Sequence, residues 1–519
     1  MAKDIMNGAQ SLVQTLVNCD VDVCFGNPGT SEMHFVTALD SVPQMRSILC
    51  LFEGVATGAA DGYGRIAGKP AATLLHLGPG LANGLANLHN ARRANTPIVN
   101  VVGDHATYHL QYDALLTSDI VGFARPVSQW IQETKSSKTV ANDAARAVQA
   151  ARSAPGGVST LILPADTAWD DADRPATKLP DIGPQMVDKD VIVEVAKLLR
   201  NGKKSALIMR GATLHGQGLE AAGRVHAATG VRLMCDTFAP HVELGAGRVF
   251  IERIPYFAED IVKFFADIEQ IILVGARPPV AFFAYPGKSS WCIPDGCTIT
   301  YLAHSNEDSL QAVEGLADEL GAAERSSIRV QYQVNACSAG QLTASAVALA
   351  MAELTPENAI IADESCTSGL TMLTAMATAR PFTHLPLTGG SIGSGLPLAL
   401  GAAVAAPGRK VICPHGDGGA AYTLQALWTM AREKLDVTII IYANHSYAIL
   451  NVELQRVGAI DAGQTALSML DLHNPELNWM KIAQGLGVEA TQATTAEEFY
   501  QQYQSAMAGR GPRLIEALI

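Results

Sequence analysis

The fold of this chain is decided by residues 410–447, which read KVICPHGDGGAAYTLQALWTMAREKLDVTIIIYANHSY. A short apolar run and a glycine-rich turn come first, followed by a helical stretch at 424–435 and a longer apolar run at 437–443. This order predicts a strand–helix–strand unit with parallel strands, whose carboxyl ends lie on the same edge of a sheet. We therefore expect Asp417 and Asn444, one after each strand, to lie side by side.

The polar residues at this edge favour a site for magnesium and a diphosphate. Carboxylate and amide oxygens are hard ligands that suit Mg²⁺. The glycines of Gly416-Asp417-Gly418 allow backbone N–H groups to approach a diphosphate at the start of a helix. A GDG sequence alone is also a common turn, but its spacing to Asn444 within a strand–helix–strand unit makes the combination more specific.

These residues resemble the signature of the thiamin diphosphate (ThDP)-dependent 2-oxo acid decarboxylase and acetolactate synthase superfamily. That superfamily includes benzoylformate decarboxylase-like and acetolactate synthase large subunit-like chains. The resemblance implies that Asp417, Asn444 and the backbone carbonyl of Ser446 hold Mg²⁺ on the cofactor's diphosphate. The family usually has paired Asn residues here, whereas this chain has Ala443 before Asn444. The retained Asn is the one at ligand spacing, so we expect metal binding to survive.

The same resemblance assigns further residues to the diphosphate end of the cofactor. Gly418 and Gly419 are the expected diphosphate contacts, and Tyr447 follows the metal loop as a further cofactor contact. Residues 364–368 read ESCTS after an apolar run, and their hydroxyl and N–H groups, those of Thr367 among them, could hold the distal phosphate. An ordinary helix cap explains this segment equally well.

A second glycine-rich loop, LTGGSIGSGLP at residues 387–397, runs into an apolar helix. Taken alone, it reads as a flexible connector. In the family that it resembles, a bulky aliphatic residue under the cofactor forces a bent V shape, and Ile392 fits that role. The carbonyl of Gly390 would accept a hydrogen bond from N4′, and the bend brings N4′ close to C2 of the thiazolium ring.

Glu53 is a single acid among apolar and small residues, in LFEGVA at residues 51–56. An acid is expensive to bury without a partner, and its simplest role is to satisfy a helix N-terminus. The surrounding pattern resembles the family segment whose Glu hydrogen-bonds N1′ of the aminopyrimidine ring. That contact would favour the ylid at C2, the nucleophile of the reaction. Apolar surroundings would raise the pKa of the carboxyl group.

Two more segments resemble family positions around the substrate. Residues 26–32, GNPGTSE, resemble the loop that lines the pocket over C2, although a strand-to-helix turn also explains them. His76, in LLHLGPG, matches an active-site His of benzoylformate decarboxylase-like enzymes and is a candidate for proton transfer. A His flanked by leucines is otherwise a core residue. His105 is a second proton-transfer candidate, and His445 reads as a loop residue beside the metal.

Composition favours a well-packed enzyme of several domains. The chain has 519 residues, of which 48% are hydrophobic and 17% charged, and this is too many residues for one core. Its formal net charge is −13 with no basic block, which argues against binding to nucleic acid. An anionic cofactor must therefore be met locally, by N–H groups and a metal.

The nine cysteines are scattered and form no C-x-x-C pair. They predict reduced thiols rather than a disulfide framework or a zinc site. No apolar run reaches transmembrane length, and residues 1–5 carry no signal-peptide apolar region. We expect a cytoplasmic protein that does not bind a membrane.

Alternating apolar and helical stretches predict an α/β fold with three doubly wound, mostly parallel domains. The resemblance implies a ThDP pyrimidine-binding domain at 1–168, a central α/β domain at 185–325 and a ThDP diphosphate-binding domain at 340–519. The segment 170–184 is rich in Asp and Pro and reads as a linker. Strands are expected at 21–25, 72–75, 98–102, 159–163, 205–209, 231–234, 270–274, 297–301, 359–362, 411–413, 437–442 and 514–517.

The resemblance implies a Mg²⁺- and ThDP-dependent lyase that decarboxylates a small-molecule 2-oxo acid through a C2 ylid and an enamine. The alternatives are an acetolactate synthase-like carboligase, a non-catalytic ThDP-fold binding protein and another nucleotide-binding α/β protein. Residues 448–454 differ from the Gln-Trp-rich stretch of genuine acetohydroxyacid synthases, and the central block signals FAD too weakly. Because different subunits of this family bind the two ends of ThDP, a homodimer or homotetramer with active sites between subunits is implied.

Overall fold

The computed structural model describes residues 6–323, 329–337, 339–459 and 461–519. Three sheets are formed within these ranges, of six, five and seven strands. Among the named strands, every pairing is parallel except one. This arrangement confirms the predicted α/β class with three doubly wound units.

The first sheet has the strand order β2-β1-β3-β4-β6-β5. Three of its inner strands are buried along their whole length, which is why they read as mainly apolar runs. Its strands are β1 (Val23–Asn27), β2 (Arg46–Leu49), β3 (Ala71–Leu75), β4 (Ile98–Asp104), β5 (Trp130–Glu133) and β6 (Val158–Pro164). Its helices are α1 (Gly8–Asn18), α2 (Met33–Ser41), α3 (Glu53–Ala67), α4 (Leu77–Ala94), α5 (Ile120–Ala124), α6 (Val140–Arg152) and α7 (Ala165–Trp169).

The central sheet has the order β10-β8-β7-β11-β12 and encloses its own apolar core. The strands that follow β6 in the chain are β7 (Ser205–Met209), β8 (Arg232–Cys235), β9 (Val242–Leu244), β10 (Glu252–Arg253), β11 (Gln270–Val274) and β12 (Thr298–Ala303). The helices of this unit are α8 (Lys189–Leu199), α9 (Gly216–Thr229), α10 (Ala258–Phe265) and α11 (Ser309–Glu319). No helix or strand is assigned over 170–184, which agrees with the predicted linker.

The third sheet has the order β17-β18-β16-β15-β13-β14-β9. Its remaining strands are β13 (Ala359–Asp363), β14 (Phe382–Pro386), β15 (Val411–Gly416), β16 (Val437–Ala443), β17 (Glu489–Ala493) and β18 (Arg513–Leu518). Its helices are α12 (Ala344–Leu354), α13 (Met372–Met376), α14 (Gly395–Ala405), α15 (Asp417–Ala420), α16 (Ala426–Arg432), α17 (Ala448–Arg456), α18 (Gln464–Ser468), α19 (Trp479–Gly485) and α20 (Ala496–Ala508). Helix α16 is shorter than the predicted stretch at 424–435.

Strand β9 leaves the central part of the chain and joins the third sheet. It pairs antiparallel with β14, with Val242 opposite His384. This pairing covers an edge of β14 that would otherwise present unpaired N–H and C=O groups. The predicted central domain at 185–325 therefore contributes one strand, β9, to the third sheet, in addition to forming the central sheet. The predicted boundary at 325 itself lies outside the described residues.

The carboxyl ends of the strands define where a ligand can bind. In open doubly wound sheets, ligands bind where the strand order reverses. The first sheet reverses between β1 and β3, and the third sheet reverses between β13 and β15. Polar residues follow the strand ends at both of these crevices.

Helices α3 and α14 join the first and third units at backbone contact. An added Cβ at Gly401 of α14 would lie 1.8 Å from the carbonyl oxygen of Ala59 in α3. The reciprocal glycine, Gly62, would place a Cβ 2.1 Å from the carbonyl oxygen of Leu398. Apolar residues of both units form one continuous core around this contact. The two halves of the chain that carry the predicted cofactor residues are therefore held by glycine packing.

The described ranges contain no helix long and apolar enough to cross a membrane. All nine cysteines are unpaired thiols, as their spacing predicted. Burial raises the pKa of several of them, for example that of Cys24 to about 12, so these buried thiols stay protonated at neutral pH.

Candidate cofactor site

The predicted metal loop lies at the adjacent ends of β15 and β16. The two strands are parallel neighbours, with Gly416 opposite Tyr442. Oδ2 of Asp417 accepts a hydrogen bond from the N–H of His445 at 2.7 Å, and its Oδ1 accepts from the N–H of Gly418 at 2.8 Å. Asp417 is therefore next to the loop that begins with Asn444, as the strand–helix–strand spacing predicted. Burial raises the pKa of the Asp417 carboxyl group.

A second segment fixes the backbone of this loop. Oδ1 of Asn444 accepts from the N–H of Ser446 at 3.1 Å, while the N–H of Tyr447 donates to the carbonyl of Leu470 at 2.9 Å and the N–H of Leu472 donates to His445. His445 has a φ of 50°, in the left-handed region that is strained for a residue with a Cβ. The loop is thus held in one conformation by segment 470–472.

The oxygen atoms in this loop suit a hard divalent cation. Asp417 supplies a carboxylate, Asn444 an amide oxygen and Ser446 a backbone carbonyl, the ligand types that Mg²⁺ prefers. The described residues contain no group of three or more His, Cys, Asp or Glu side chains placed to hold a metal. A cation here would therefore depend on the amide and carbonyl oxygens as well as on Asp417.

Gly418 and Gly419 lie in the first turn of α15, directly after Asp417. An added Cβ at Gly418 would lie 2.5 Å from the ring of Tyr447, and one at Gly419 would lie 2.9 Å from Oε1 of Glu364. Both positions therefore require glycine for packing. The half-buried ring of Tyr447 covers Gly418, which places this predicted cofactor residue against the predicted diphosphate contact.

Glu364 has a role that the sequence alone did not indicate. Its buried carboxylate accepts hydrogen bonds from the N–H groups of Gly393 (2.5 Å), Ser394 (2.7 Å) and Gly395 (2.8 Å), and from the Ser394 hydroxyl (2.7 Å). Charge-assisted bonds to three successive N–H groups are strong. Glu364 therefore shapes the glycine-rich loop from below. An acid at a strand end in the 364–368 segment was the available signal.

The glycine-rich loop is also tied to the first unit. The side chain of Asn90 in α4 donates to the carbonyl of Ser391 at 2.8 Å, and its Oδ1 accepts from the N–H of Ser391 at 3.2 Å. Gly390 has a φ of 78° and no atom within 4 Å of an added Cβ, so conformation rather than crowding requires glycine there. Ile392 is half-buried on this fixed loop, where the sequence placed it.

Thr367 lies in a short 3₁₀ helix, Cys366–Thr371, directly after β13. Cys366 has a φ of 50°, and the hydroxyl of Ser365 donates to the carboxylate of Asp363 instead of pointing freely at the edge. Thr367 is half-buried at the third sheet's crevice. This position is compatible with its predicted contact to the distal phosphate.

Glu53 is the first residue of α3 and is only 7% exposed. Its Oε2 accepts a hydrogen bond from the amide of Asn83 at 3.0 Å. An added Cβ at Gly80 would lie 3.1 Å from its Oε1. The carboxylate therefore stands at a helix N-terminus, as its simplest interpretation requires, and it also has a fixed orientation.

His76 follows β3 and is held by a second residue that the sequence did not single out, Glu32. The Nδ1 of His76 lies 2.8 Å from Oε2 of Glu32, which also accepts from the N–H of Gly29 at 2.7 Å. The Glu32 side chain is fully buried, its Oε1 has no hydrogen-bond partner, and burial raises its pKa. A Cβ at Gly29 would overlap the His76 ring at 2.3 Å, so the glycine makes room for it.

The quoted segment 26–32 contained the signal for this pair, because its last residue is Glu32. His76 is 26% exposed in its side chain, and Leu77 after it has a φ of 50°. Strained backbone beside an oriented, part-exposed His is typical of functional positions. Because β1 and β3 are neighbours, Glu32 and His76 line the crevice at the first sheet's reversal point.

His105 follows β4 and lies beside Asp104, whose pKa is raised by burial. The backbone N–H of His105 donates to Oδ1 of Asp104 at 2.7 Å. The buried ring nitrogen Nε2 of His105 has no hydrogen-bond partner. The rings of His105 and His109 are 5.4 Å apart. The described contacts of His105 do not include Glu32 or His76.

The structure thus gathers the predicted residues into two sets. The first set, at the edge of the first sheet, contains Glu53, His76 and His105. The second set, at the edge of the third sheet, contains Thr367, Gly390, Ile392, Asp417, Gly418, Gly419, Asn444, Ser446 and Tyr447. Within the described ranges, no side-chain hydrogen bond or ion pair connects the two sets.

Two cavities lie away from both sets. One cavity, of about 510 Å³, lies between the first and central units, and its lining includes Arg65, Arg210 and His241. Another of about 350 Å³ lies between the central and third units, beside Arg253 and His384. None of the predicted catalytic, cofactor or metal residues lines either cavity.

Comparison with known proteins identifies the family to which this chain is similar. Residues 6–134 match the family described as "Thiamine pyrophosphate enzyme, N-terminal TPP binding domain" and residues 366–517 match the corresponding C-terminal TPP binding domain. The chain is 49% identical, over 99% of both lengths, to a protein of Mycobacterium tuberculosis (strain ATCC 25618 / H37Rv) named "Putative acetolactate synthase large subunit IlvX". It is 26% identical, over 95% of both lengths, to benzoylformate decarboxylase of Pseudomonas aeruginosa.

A solved structure also resembles this fold closely. The thiamine diphosphate-dependent 4-hydroxybenzoylformate decarboxylase of Rhodococcus jostii RHA1 superposes with a TM-score of 0.87. Each chain is covered over 99% of its length, at 23% sequence identity. At this identity, the similarity establishes a common fold.

Proposed function

We propose, because the chain belongs to the thiamine pyrophosphate enzyme family, that it is a Mg²⁺- and ThDP-dependent decarboxylase of a small 2-oxo acid, similar to benzoylformate decarboxylase. The observation that carries this proposal is the orientation of His76 by buried Glu32 at 2.8 Å. Release of an aldehyde after decarboxylation requires a proton donor, and a held, part-exposed imidazole meets that requirement.

The residues at the two sheet edges suit the two ends of the cofactor. When bound, ThDP would supply a nucleophilic thiazolium carbon and a cationic ring that accepts the electron pair left by decarboxylation. Asp417, Asn444 and the carbonyl of Ser446 would hold Mg²⁺ on the diphosphate, with the N–H groups of Gly418 and Gly419 beside it. Glycine is needed at both positions because an added Cβ would overlap the side chain of Tyr447 or Glu364.

Glu53 would hold the pyrimidine ring through its Oε1. Its Oε2 is occupied by the amide of Asn83, which leaves Oε1 to face the ring. Burial of the carboxyl group at 7% exposure excludes water as a competing partner. Ile392 would support the cofactor from the fixed glycine-rich loop, with the Gly390 carbonyl beside it.

His76 would transfer a proton at its Nε2. Its Nδ1 is engaged by Glu32, so Nε2 is the nitrogen left to face the crevice. The carboxylate fixes the tautomer and the ring plane, which is the arrangement that general acid–base catalysis needs. His105 would assist from the next strand, where its Nε2 lacks a partner.

A second candidate is carboligation of the acetolactate synthase type. It is favoured by the printed name of the relative that is 49% identical over 99% of this chain. In that reaction the reacting carbon bonds to the carbonyl carbon of a second substrate, so the proton goes to the acceptor's oxygen rather than to that carbon. A non-catalytic ThDP-binding role is not favoured, because binding alone does not require Glu53.

The proposed active unit is a homodimer or homotetramer with active sites between subunits. Two observations support it. Within the described residues, no side-chain hydrogen bond or ion pair joins the two sets of site residues directly, and segment 108–115 exposes large apolar side chains, with Leu115 98% exposed. Sedimentation analysis at several concentrations tests the assembly.

The net charge of −13 argues against a nucleic-acid partner, and we place the protein in the cytoplasm.

The function is tested with a panel of aliphatic and aromatic 2-oxo acids, supplied with ThDP and Mg²⁺. We expect CO₂ release with formation of the corresponding aldehyde, and a large loss of aldehyde formation in His76→Gln. Acetolactate formed from pyruvate alone, at the rate of CO₂ release, would instead establish the carboligase. Absence of both CO₂ and cofactor binding would rule out either reaction.

A further inference from the structure

Helix α17 differs from the other long helices of the third unit because none of its residues is buried. It begins at Ala448, directly after the metal loop, and ends at Arg456. A helix without a buried face lacks the packing that normally holds a helix in place. It contacts the 3₁₀ helix Cys366–Thr371, but with no buried residue its position depends strongly on the few contacts near its two ends.

The first end of α17 is tied to the metal loop itself. The side chain of Asn451 donates to the hydroxyl of Ser446 at 3.1 Å. The Ser446 hydroxyl in turn donates to the carbonyl of Leu470 at 3.2 Å. Any displacement of α17 is consequently transmitted to Ser446, whose carbonyl is a proposed metal ligand.

The other end of α17 is clamped by the central unit through Arg456. Its guanidinium carbon lies 4.5 Å from the ring centroid of Phe257 and 4.6 Å from that of Tyr285. One of its nitrogens also lies 2.8 Å from Oε2 of Glu259, the second residue of α10. The Arg456 side chain is only 16% exposed despite its charge.

The chemistry of this clamp requires arginine. A planar guanidinium can stack on two aromatic rings while its N–H groups pair with a carboxylate, whereas the compact ammonium of lysine can only pair. Glu259 is also bound by Lys288, and these cations lower its pKa to about 2. Its carboxylate therefore remains charged throughout the physiological range of pH.

We propose that Arg456 is a positioning residue for the cofactor site, which holds α17 and, through Asn451 and Ser446, the geometry of the metal loop. This inference rests on the proposed function only for the consequence to cofactor binding. The clamp involves residues of this chain only, so it is measured without cofactor.

The clamp is tested by hydrogen exchange on the full-length, cofactor-free protein. In Arg456→Met we expect exchange in 446–457 to become about tenfold faster, the loss expected for one desolvated cation–π and ion-pair contact. Arg456→Lys keeps the charge and should give an intermediate rate. Exchange in α3 should stay unchanged in both variants, because α3 packs elsewhere.

Arg432→Met is the matched control. Arg432 also stacks on an aromatic ring, that of Trp428 at 5.4 Å, but its side chain is 52% exposed and it ends α16. We expect this variant to leave exchange in 446–457 at the wild-type rate. Equal rates in Arg456→Met and wild type would overturn the clamp, as would acceleration throughout the protein, which indicates global unfolding.

The consequence for the site is measured as the dissociation constant of ThDP in the presence of Mg²⁺, by calorimetry. We expect about tenfold weaker binding in Arg456→Met and wild-type binding in Arg432→Met. Faster local exchange with unchanged affinity would overturn the positioning role. A wild-type protein that binds no ThDP would overturn the proposed function, while the exchange data would still decide the clamp.

Discussion

Helices α3 and α17 both begin at a predicted cofactor residue or loop, yet they are held in opposite ways. Thirteen of the fifteen residues of α3 are buried, whereas α17 has no buried residue. Helix α3 contacts α14 at the backbone through glycines. Helix α17 depends on contacts at its ends with Ser446, Phe257 and Tyr285.

This difference separates two kinds of site residue. Glu53 is carried by an element that cannot shift without opening the core shared by the first and third units. The metal loop is continuous with an element that can move at the cost of a few local contacts. The first half of the site is therefore fixed by folding, whereas the helix that follows the metal loop can adjust when a ligand binds.

The largest expected effect comes from Gly401→Ala, which places a methyl group in the backbone contact between α14 and α3. The added Cβ would lie 1.8 Å from the carbonyl oxygen of Ala59, a backbone atom that cannot move alone. We expect loss of soluble folded protein, or a decrease in thermal midpoint of at least about 10 °C. Calorimetry measures it. In the control, Gly408→Ala, the new Cβ meets no atom within 4 Å, and a wild-type midpoint for both variants would refute the rigid contact.

The next effect concerns chemistry on the rigid side, in Glu53→Gln. The amide oxygen can still accept from Asn83, so we expect a wild-type thermal midpoint. Loss of the ionisable group should lower the decarboxylation rate by roughly 10²–10⁴-fold. Steady-state assay of CO₂ release measures it, with exposed Glu357→Gln as the control. A variant with wild-type turnover would remove Glu53 from the mechanism.

On the adjustable side, Asp417→Asn should weaken the metal site without unfolding it. The neutral amide lacks the charge that Mg²⁺ requires, so we expect the affinity for ThDP with Mg²⁺ to fall at least about tenfold. Removal of Mg²⁺ by a chelator should abolish wild-type activity, and added Mg²⁺ should restore it. Asp190→Asn, an exposed first-turn acid of α8, serves as the control. Full activity in the chelated enzyme would contradict the proposed metal.

The smallest effect is a pH dependence at the far end of α3. His241 stacks on His215 at 4.4 Å and lies 3.1 Å from the carbonyl of Arg65. Burial, followed by the neighbouring His215, lowers the pKa of His241 to about 3. Because the unfolded chain then binds a proton that the folded protein does not, stability falls as the pH decreases from about 6.5 towards 3.

We expect this group to remove about 1–2 kcal/mol of unfolding free energy between pH 6.5 and 5. His241→Gln keeps a donor for the Arg65 carbonyl and should flatten that part of the profile. Denaturant titrations at several pH values measure it, with exposed His34→Gln as the control. Identical profiles for wild type and His241→Gln would show that the contact is not pH-sensitive.

The apolar runs predicted twelve strands, and the structure contains all of them within a few residues. These strands are buried or form central ladders, where the apolar pattern is strongest, except β12, which is an edge strand with exposed residues. The strands that were not predicted are mostly edge strands with exposed polar residues, such as β2 and β17. Strand β14 is buried but contains His384, whose Nε2 pairs with Asp363 at 3.0 Å, so its sequence reads as polar.

The residues of the candidate site also divide into those that local sequence patterns could predict and those that they could not. Asp417 and Asn444 could be paired from the sequence because parallel strands end on one edge, and the structure places them there. Glu32 and Glu364 could not be assigned their roles, since their partners lie 44 and about 30 positions away in the chain. The roles of all predicted catalytic, cofactor and metal residues remain predictions until the variants are measured.

The sequence alone determined the α/β class, the family and the residues that follow each buried strand, because strand periodicity and loop motifs are local properties of the chain. Only the tertiary structure decided which of these residues are held and by what. The orientation of His76 by Glu32, the shaping of the glycine loop by Glu364 and the clamp on Arg456 join residues far apart in sequence. Such contacts arise from packing between elements, which no local pattern records.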